Sequence, residues 1–423
     1  LIMADDLGYR ELGSYGQELI KTPHLDKLAA EGMRFTEFYS GSTVCAPSRC
    51  TLLTGMHTGH SYVRDNYELG DFSDENEGGQ LPLPEGTYTM ASMLKEAGYT
   101  TGAIGKWGLG GPGSSGIPNK QGFDYFYGYP GQRLAHNYYP EKLLENREWL
   151  ELRGNLESSV PYVAERKAVN AAKRIHEAAM AFLKRNRDSL FYLQLDYNLP
   201  HVNNHLAKST GNGYEHDGAG RYAGQGWSES EKGYGEMVGM IDDYVGEMIA
   251  LLRAQGLDRN TLVIFTSDNG PAGLRSPESL AKFNATGGLR GNKGTLYEGG
   301  IRVPMIAWWP GHVPAGTNDQ PFAFWDWMPT TAELARSNRE FQSDGISFAS
   351  ELFGGIAEQR ERMLYWEFND WIAVRLGDWK WVARPDGKEF LFDLANDPIE
   401  RHSLLRDQPL EAETLRAMAH AYD

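Results

Sequence analysis

Short apolar runs alternate with amphipathic stretches along most of the chain. The opening "LIMAD" reads as the end of a buried strand. "TPHLDKLAAEG" reads as a helix with Pro23 in its first turn and Gly32 at its end, because proline is preset for a helix start and glycine for its stop. "YTMASMLKEAG" repeats the pattern, is stopped by Gly98, and leads into the strand "YTTGAIG". A long amphipathic helix is expected over about 162–186, followed by the strand "LFYLQLDY". Another runs through "EKGYGEMVGMIDDYVGEMIALLRAQG" before the strand "TLVIFTSD". The most apolar runs, "TLVIFT" and "VPMIAWW", have the length of buried strands and fall short of a bilayer span. This alternation predicts an α/β fold with a large mixed, mostly parallel sheet sandwiched by helices.

The texture changes near residue 360. "ERMLYWEFNDWIAVRLGDWKWVARPDGKEFLFDL" has short apolar runs broken by turn residues, and "LEAETLRAMAHAY" follows as a helix. The expected organisation is a catalytic α/β domain over residues 1–355 and a C-terminal subdomain of small antiparallel sheet plus helix over 356–423. The glycine-rich pieces "GLGGPGSSGIPN" and "GNGYEHDGAGRYAGQG" read as long ordered loops or as mobile linkers. The start, already inside a strand and lacking a signal peptide, is expected to be a trimmed N terminus.

Composition narrows the function classes. Hydrophobic residues make up 41% of 423, enough for a substantial core. A formal charge of −16 disfavours nucleic acid and anionic membrane surfaces as partners, though one cationic cleft can still take a small anion. Two cysteines, Cys45 and Cys50, make no disulfide framework.

In open parallel sheets, ligands bind beyond the carboxyl ends of the strands. Asp5 and Asp6 follow "LIMA", Lys106 follows "TTGAIG", His201 follows "FYLQLDYNLP", and Asp268 and Asn269 follow "LVIFTS". Alone, "DD" and "DNG" are ordinary caps and turns. Together, three carboxylates and an amide repel one another unless a cation lies between them, and oxygen donors suit Ca²⁺ or Mg²⁺. In "STVCAPSRCTLLTG", Cys45 is expected just before a helix that ends at Gly55, with Arg49 about one turn along. There a thiol is either an activated thiolate or a small buried hydrophobe.

"CAPSRCTLLTG" fits the sulfatase signature C-x-P-S-R-x-x-x-L-x-T-G at every defined position. "MADDLG", "GKWGLG", "LPHVNN", "FTSDNG" and "LRGNKGTLYEGGIRVP" also resemble the type I sulfatases, in order, so the chain is similar to that family from Leu1 to about Leu394. The resemblance implies an alkaline-phosphatase-like fold and a sulfuric ester hydrolase. It implies that a formylglycine-generating enzyme oxidises Cys45 to formylglycine, whose hydrate is the nucleophile. Asp5, Asp6, Asp268 and Asn269, with the matured Cys45, would hold Ca²⁺, Mg²⁺ being the alternative. Arg49 would stabilise the diol, Lys106 and Lys293 would bind sulfate oxygens, and His201 would protonate the leaving alcohol. A periplasmic or secreted location follows from the same resemblance.

One position departs from the pattern. Relatives read G-K-W-H-L-G, and here the histidine is replaced by Gly108. His136, in "RLAHNYYP", is the candidate base in its place, or else a substrate-binding or structural residue. His24, His57 and His60 suggest no specific role. Aromatic clusters and Asn66 and Asn204, in "VRDNYE" and "HVNNH", together with a resemblance to bacterial carbohydrate sulfatases, point to a sulfated saccharide, with another sulfated small molecule as the broader class. Two alternatives share these residues: a phosphonate monoesterase or phosphodiesterase, and a sulfoglycan-binding protein without turnover, which Gly108 keeps open.

Overall fold

Strand residues point alternately to opposite faces, and here both faces are apolar. Ile2 and Ala4 join one hydrophobic cluster while Met3 joins another. Val263 and Phe265 separate from Ile264 in the same way, and Ile306 and Trp308 from Met305 and Ala307. Such strands are stable only as the middle layer of three. The computed structural model, which describes residues 1–67, 69, 80–272, 281–355 and 362–421, places them there.

The central sheet comprises β1 (Ile2–Ala4), β2 (Met33–Phe35), β3 (Thr100–Lys106), β4 (Tyr125–Tyr129), β5 (Lys142–Glu145), β6 (Glu148–Glu151), β7 (Phe191–Asp196), β8 (Val263–Ser267), β9 (Met305–Trp308) and β10 (Gly316–Asn318). Its order is β10-β2-β9-β8-β1-β7-β3-β4-β5-β6. The five central strands, β8-β1-β7-β3-β4, run parallel, so their carboxyl ends share one edge. The flanking pairs β8–β9 and β4–β5 are antiparallel.

Helices α1 (Pro23–Glu31), α2 (Cys45–Thr54), α3 (Met90–Glu96), α4 (Ala171–Arg185), α5 (Glu229–Ala254) and α6 (Trp327–Leu334) cover the faces. Leu25, Ile175, Phe182, Met237 and Ile241 from α1, α4 and α5 fill one side. Leu52, Met90, Met93, Trp327 and Met328 from α2, α3 and α6 fill the other. The helix expected over 162–186 begins only at Ala171. The Asn170 side chain caps it by accepting the Lys173 N–H (3.3 Å), and Ala164–Arg166 is drawn into pairing with Leu156–Glu157. The loop at 211–226 is ordered against α5: Tyr222 stacks on Trp227, and its hydroxyl accepts the Lys21 N–H.

A four-stranded antiparallel sheet follows, β11 (Met363–Phe368), β12 (Trp371–Leu376), β13 (Trp379–Ala383) and β14 (Glu389–Asp393), with α7 (Pro409–His420) behind it. The expected boundary at 355/356 borders residues 356–361, which lie outside the described residues. Period two again divides this sheet. Leu364, Trp366, Val382 and Phe392 pack on Tyr39, Tyr297 and Trp325 of the large sheet's domain, whereas Tyr365, Val374, Trp381 and Leu391 pack on α7. Buried polar bonds cross the junction. Trp366 Nε1 donates to Ser40 O (3.0 Å). Lys380, fully buried on β13, pairs with Glu298 (2.8 Å) and Glu400 (3.0 Å).

Removing one member of a buried ion cluster strands the others without compensation. Lys380→Ala is therefore expected to destabilise the protein by about 3–5 kcal/mol, read from urea denaturation.

Candidate active site

Each polar strand end arrives at one cleft. Asp5 and Asp6 leave β1, Lys106 ends β3, Asp196 ends β7, and Asp268 and Asn269 leave β8. Asp6 adopts a left-handed backbone (φ 65°), uncommon without glycine. The turn is held because the Asp6 N–H donates to Asp268 Oδ1 (3.1 Å) and the Leu7 N–H to Ser267 Oγ (2.9 Å).

Cys45 is the first residue of α2 and not the residue before it. Val44 is extended, and its carbonyl accepts the Ser48 N–H (3.3 Å), which closes the first turn. The orphan N–H of Ala46 donates to Asn66 Oδ1 (2.8 Å), and Pro47 has none to satisfy. Asn66 thus braces the helix start beside the cysteine. Gly55 ends the helix in the left-handed region, its N–H returning to Thr51 O (2.9 Å).

Cys45 is 1% exposed, and three groups face its sulfur at 3.3 Å: Asp5 Oδ1, Lys106 Nζ and Lys293 Nζ. Burial, then Asp268 and Asp5, push its thiol far up against the pull of both lysines. The same forces work against an activated thiolate at this helix start.

Each charge has an opposite. Lys106 pairs with Asp5 (2.6 Å) and Lys293 with Asp6 (2.5 Å). Arg49 directs Nε and Nη2 to Asp268 Oδ2 (3.2 and 2.8 Å) and Nη1 to Lys106 O (2.6 Å). Burial alone would discharge both lysines. Asp5 beside Lys106 and Asp6 beside Lys293 overcome it and hold both ammonium groups charged.

His201 donates Nδ1–H to Val202 O (2.7 Å) and turns Nε2 towards Asp6 Oδ2 (3.4 Å). His136 stacks flat on it, ring centroids 4.2 Å apart, and its Nδ1 lies 3.4 Å from Asn204 Nδ2. Burial, then neighbouring positive charge, holds both imidazoles neutral. Asn203, by contrast, caps a short helix and bonds Tyr162 O and Glu215.

Several participants were missed in the sequence. The space over Gly108 belongs to Gln132: a Cβ there would lie 1.8 Å from Gln132 Nε2, and φ is +80°. Both polar atoms of the buried Gln132 carboxamide lack a hydrogen-bond partner. Asp196, visible at the end of its apolar strand, was passed over as part of that strand. Glu11 accepts the Gly8 N–H (2.5 Å) and the Tyr234 hydroxyl behind Asp6. His57 and His60 stack beside Asp344, where Arg64 reaches Glu367 of β11 (3.4 Å).

The cluster can hold a metal ion. Asp5, Asp6, Cys45 and His201 each offer a ligand atom within 4.8 Å of the others. Asn269 joins them through Asp6 Oδ1 (2.7 Å). Asp6 Oδ2 and Asn269 Oδ1 are buried and accept no hydrogen bond, which a native interior rarely tolerates without a missing partner.

The sulfatase family model matches residues 1–337. N-acetylgalactosamine-6-sulfatase of Rattus norvegicus is 32% identical over 410 residues, 92% of this chain and 72% of that protein. Arylsulfatase A of Homo sapiens is 33% identical over 452 residues, covering 96% and 82%. The crystal structure of Ps i-CgsB in complex with k-i-k-neocarrahexaose superposes with a TM-score of 0.83 at 26% identity, covering 100% of this chain and 91% of that one.

Burial pushes the Glu11 carboxyl up from 4.5 to about 7. A raised carboxyl stabilises the fold at low pH and loses that contribution as pH climbs through its folded value. Between pH 4.5 and 7 the metal-free protein should lose about 3 kcal/mol that Glu11→Gln retains, measured by denaturant titration across pH.

Proposed function

The chain belongs to the sulfatase family, and on that premise we propose that it hydrolyses the sulfate ester of a saccharide through a formylglycine matured from Cys45. The reading rests on one observation above all: a buried cysteine at a helix start, gripped by two lysines and a carboxylate. A plain thiol in that place is neutral and inert, whereas an aldehyde hydrate offers a hydroxyl. Asp5, Asp6, Asp268, Asn269 and the matured Cys45 would hold Ca²⁺, which when bound supplies positive charge that acidifies a hydroxyl.

The chain's own groups do the rest. Lys106 and Lys293 release their carboxylates to the sulfuryl oxygens, providing preorganised positive charge where negative charge develops. One hydroxyl of matured Cys45 gives its proton to the facing Asp5 carboxylate and attacks sulfur, the bond from sulfur to the alcohol oxygen breaks, and the alcohol leaves with a proton that His201 Nε2 has taken up from solvent. Nδ1 is committed to Val202 O, so Nε2 is the atom that carries that proton. Burial and then the two lysines hold this ring neutral, and a bound sulfate offsets the lysines, so its basicity rises when substrate is seated. The second hydroxyl then loses its proton to His136, the carbonyl re-forms, and the carbon–oxygen bond to sulfate breaks. Arg49, fixed on Asp268, keeps the Cys45 helix and the carboxylates in register. The saccharide assignment is supported by the likeness to N-acetylgalactosamine-6-sulfatase and to the neocarrahexaose-bound structure, with Asn204 at the rim through His136.

The test is a mass spectrum of the tryptic peptide FTEFYSGSTVCAPSR from protein made with a maturing enzyme, followed by sulfate release from sulfated sugars. Formylglycine at Cys45 and turnover are expected. His201→Ala should slow alkyl sulfate esters about 10²–10⁴-fold, and aryl sulfates, whose leaving group needs less help, much less. An unconverted Cys45 in that protein, or full activity in Cys45→Ala, contradicts the mechanism.

A further inference from the structure

Asp196 takes no part in the steps above, yet it is buried beside Arg49. Its Oδ2 accepts the Gln194 Nε2–H (2.8 Å) and lies 3.5 Å from Arg49 Nη1, while Oδ1 accepts no hydrogen bond. Arg49 does not need it for anchoring, since Asp268 and the Lys106 carbonyl already take three of its N–H groups. A buried carboxylate so sparsely satisfied costs stability. Burial pushes it up to about 6, which still leaves it ionised at neutral pH.

The charge count gives it a purpose. Lys106, Lys293 and Arg49 face Asp5, Asp6, Asp268 and Asp196: three positive groups against four negative. A divalent ion would bring the site to +1, which complements a singly charged sulfate ester. Without Asp196 the sum would be +2, which complements a doubly charged phosphate monoester. In a largely buried site one unpaired unit of charge weighs more than in water, so discrimination can come from a charge that never touches the ligand.

We propose that Asp196 is a specificity-determining residue, which lowers the charge of the occupied site by one unit and so favours sulfate monoesters over phosphate monoester dianions. The proposal rests on the sulfate-ester reading and on a divalent ion at the site. Asp196 acts through the field and through Arg49, so its signature is a selectivity ratio and not a loss of binding.

The experiment uses calcium-loaded protein with unmodified Cys45, which turns neither probe over, at pH 8. Methyl sulfate and methyl phosphate affinities are measured by calorimetry for wild type, Asp196→Asn and Asp196→Glu, together with calcium affinity and melting temperature. In Asp196→Asn the preference for methyl phosphate over methyl sulfate should rise about tenfold, which is about 1.4 kcal/mol. Calcium should bind several-fold more weakly, because a negative neighbour is gone. Asp196→Glu should restore both. If Asp196→Asn does not fold, Asp196→Ser carries the same comparison. An unchanged ratio in a folded variant overturns the proposal and leaves the sulfatase reading intact. A wild type that prefers methyl phosphate contradicts the sulfate-ester reading, and a further rise in the variant would still support the role of the charge.

Discussion

Arg49 reaches from the first turns of α2 across the edge of the sheet to carboxylates at the ends of β8 and β7, on either side of β1. The other pairings have the same character. Lys106 on β3 meets Asp5 after β1, and Lys293, from a loop almost three hundred residues later, meets Asp6. No two partners come from one segment. Each ion would be prohibitive to bury alone, so every segment needs the others in place. Charge compensation in a dry cleft thus ties the catalytic edge to the correctness of the whole sheet.

The same constraint explains what was legible in the chain. Apolar runs ending in Asp5–Asp6, Lys106 and Asp268–Asn269 were readable because parallel strands deliver their last residues to one edge. The cysteine motif was readable because its spacing is distinctive. What stayed hidden depends on partners far away in sequence. Asp196 reads as an ordinary strand end until Arg49 is beside it. Gln132 reads as loop until Gly108 leaves it room. The start of α4 was misplaced because pairing between Leu156–Glu157 and Ala164–Arg166 overrides a local helical pattern. The upward push on the Cys45 thiol comes from burial and then from carboxylates after two strands, which no reading of α2 alone could supply.

Histidine chemistry in this cleft is organised by stacking as much as by hydrogen bonds. His136 and His201 lie face to face, so protonating one raises the cost of protonating the other. Two neutral rings in contact can take up protons in turn but not together.

Lys380 has a consequence in time. It clamps Glu298, five residues beyond Lys293, on the segment that delivers that lysine to the cleft. On the ribosome, β13 emerges well after this segment, by roughly ten seconds at ordinary rates of synthesis. During that interval Cys45 is already outside the exit tunnel while the clamp over its neighbours is missing. Afterwards it is closed in, with 1% of its surface exposed. The order in which the chain is made therefore leaves this cysteine more accessible before the last strands arrive than after them.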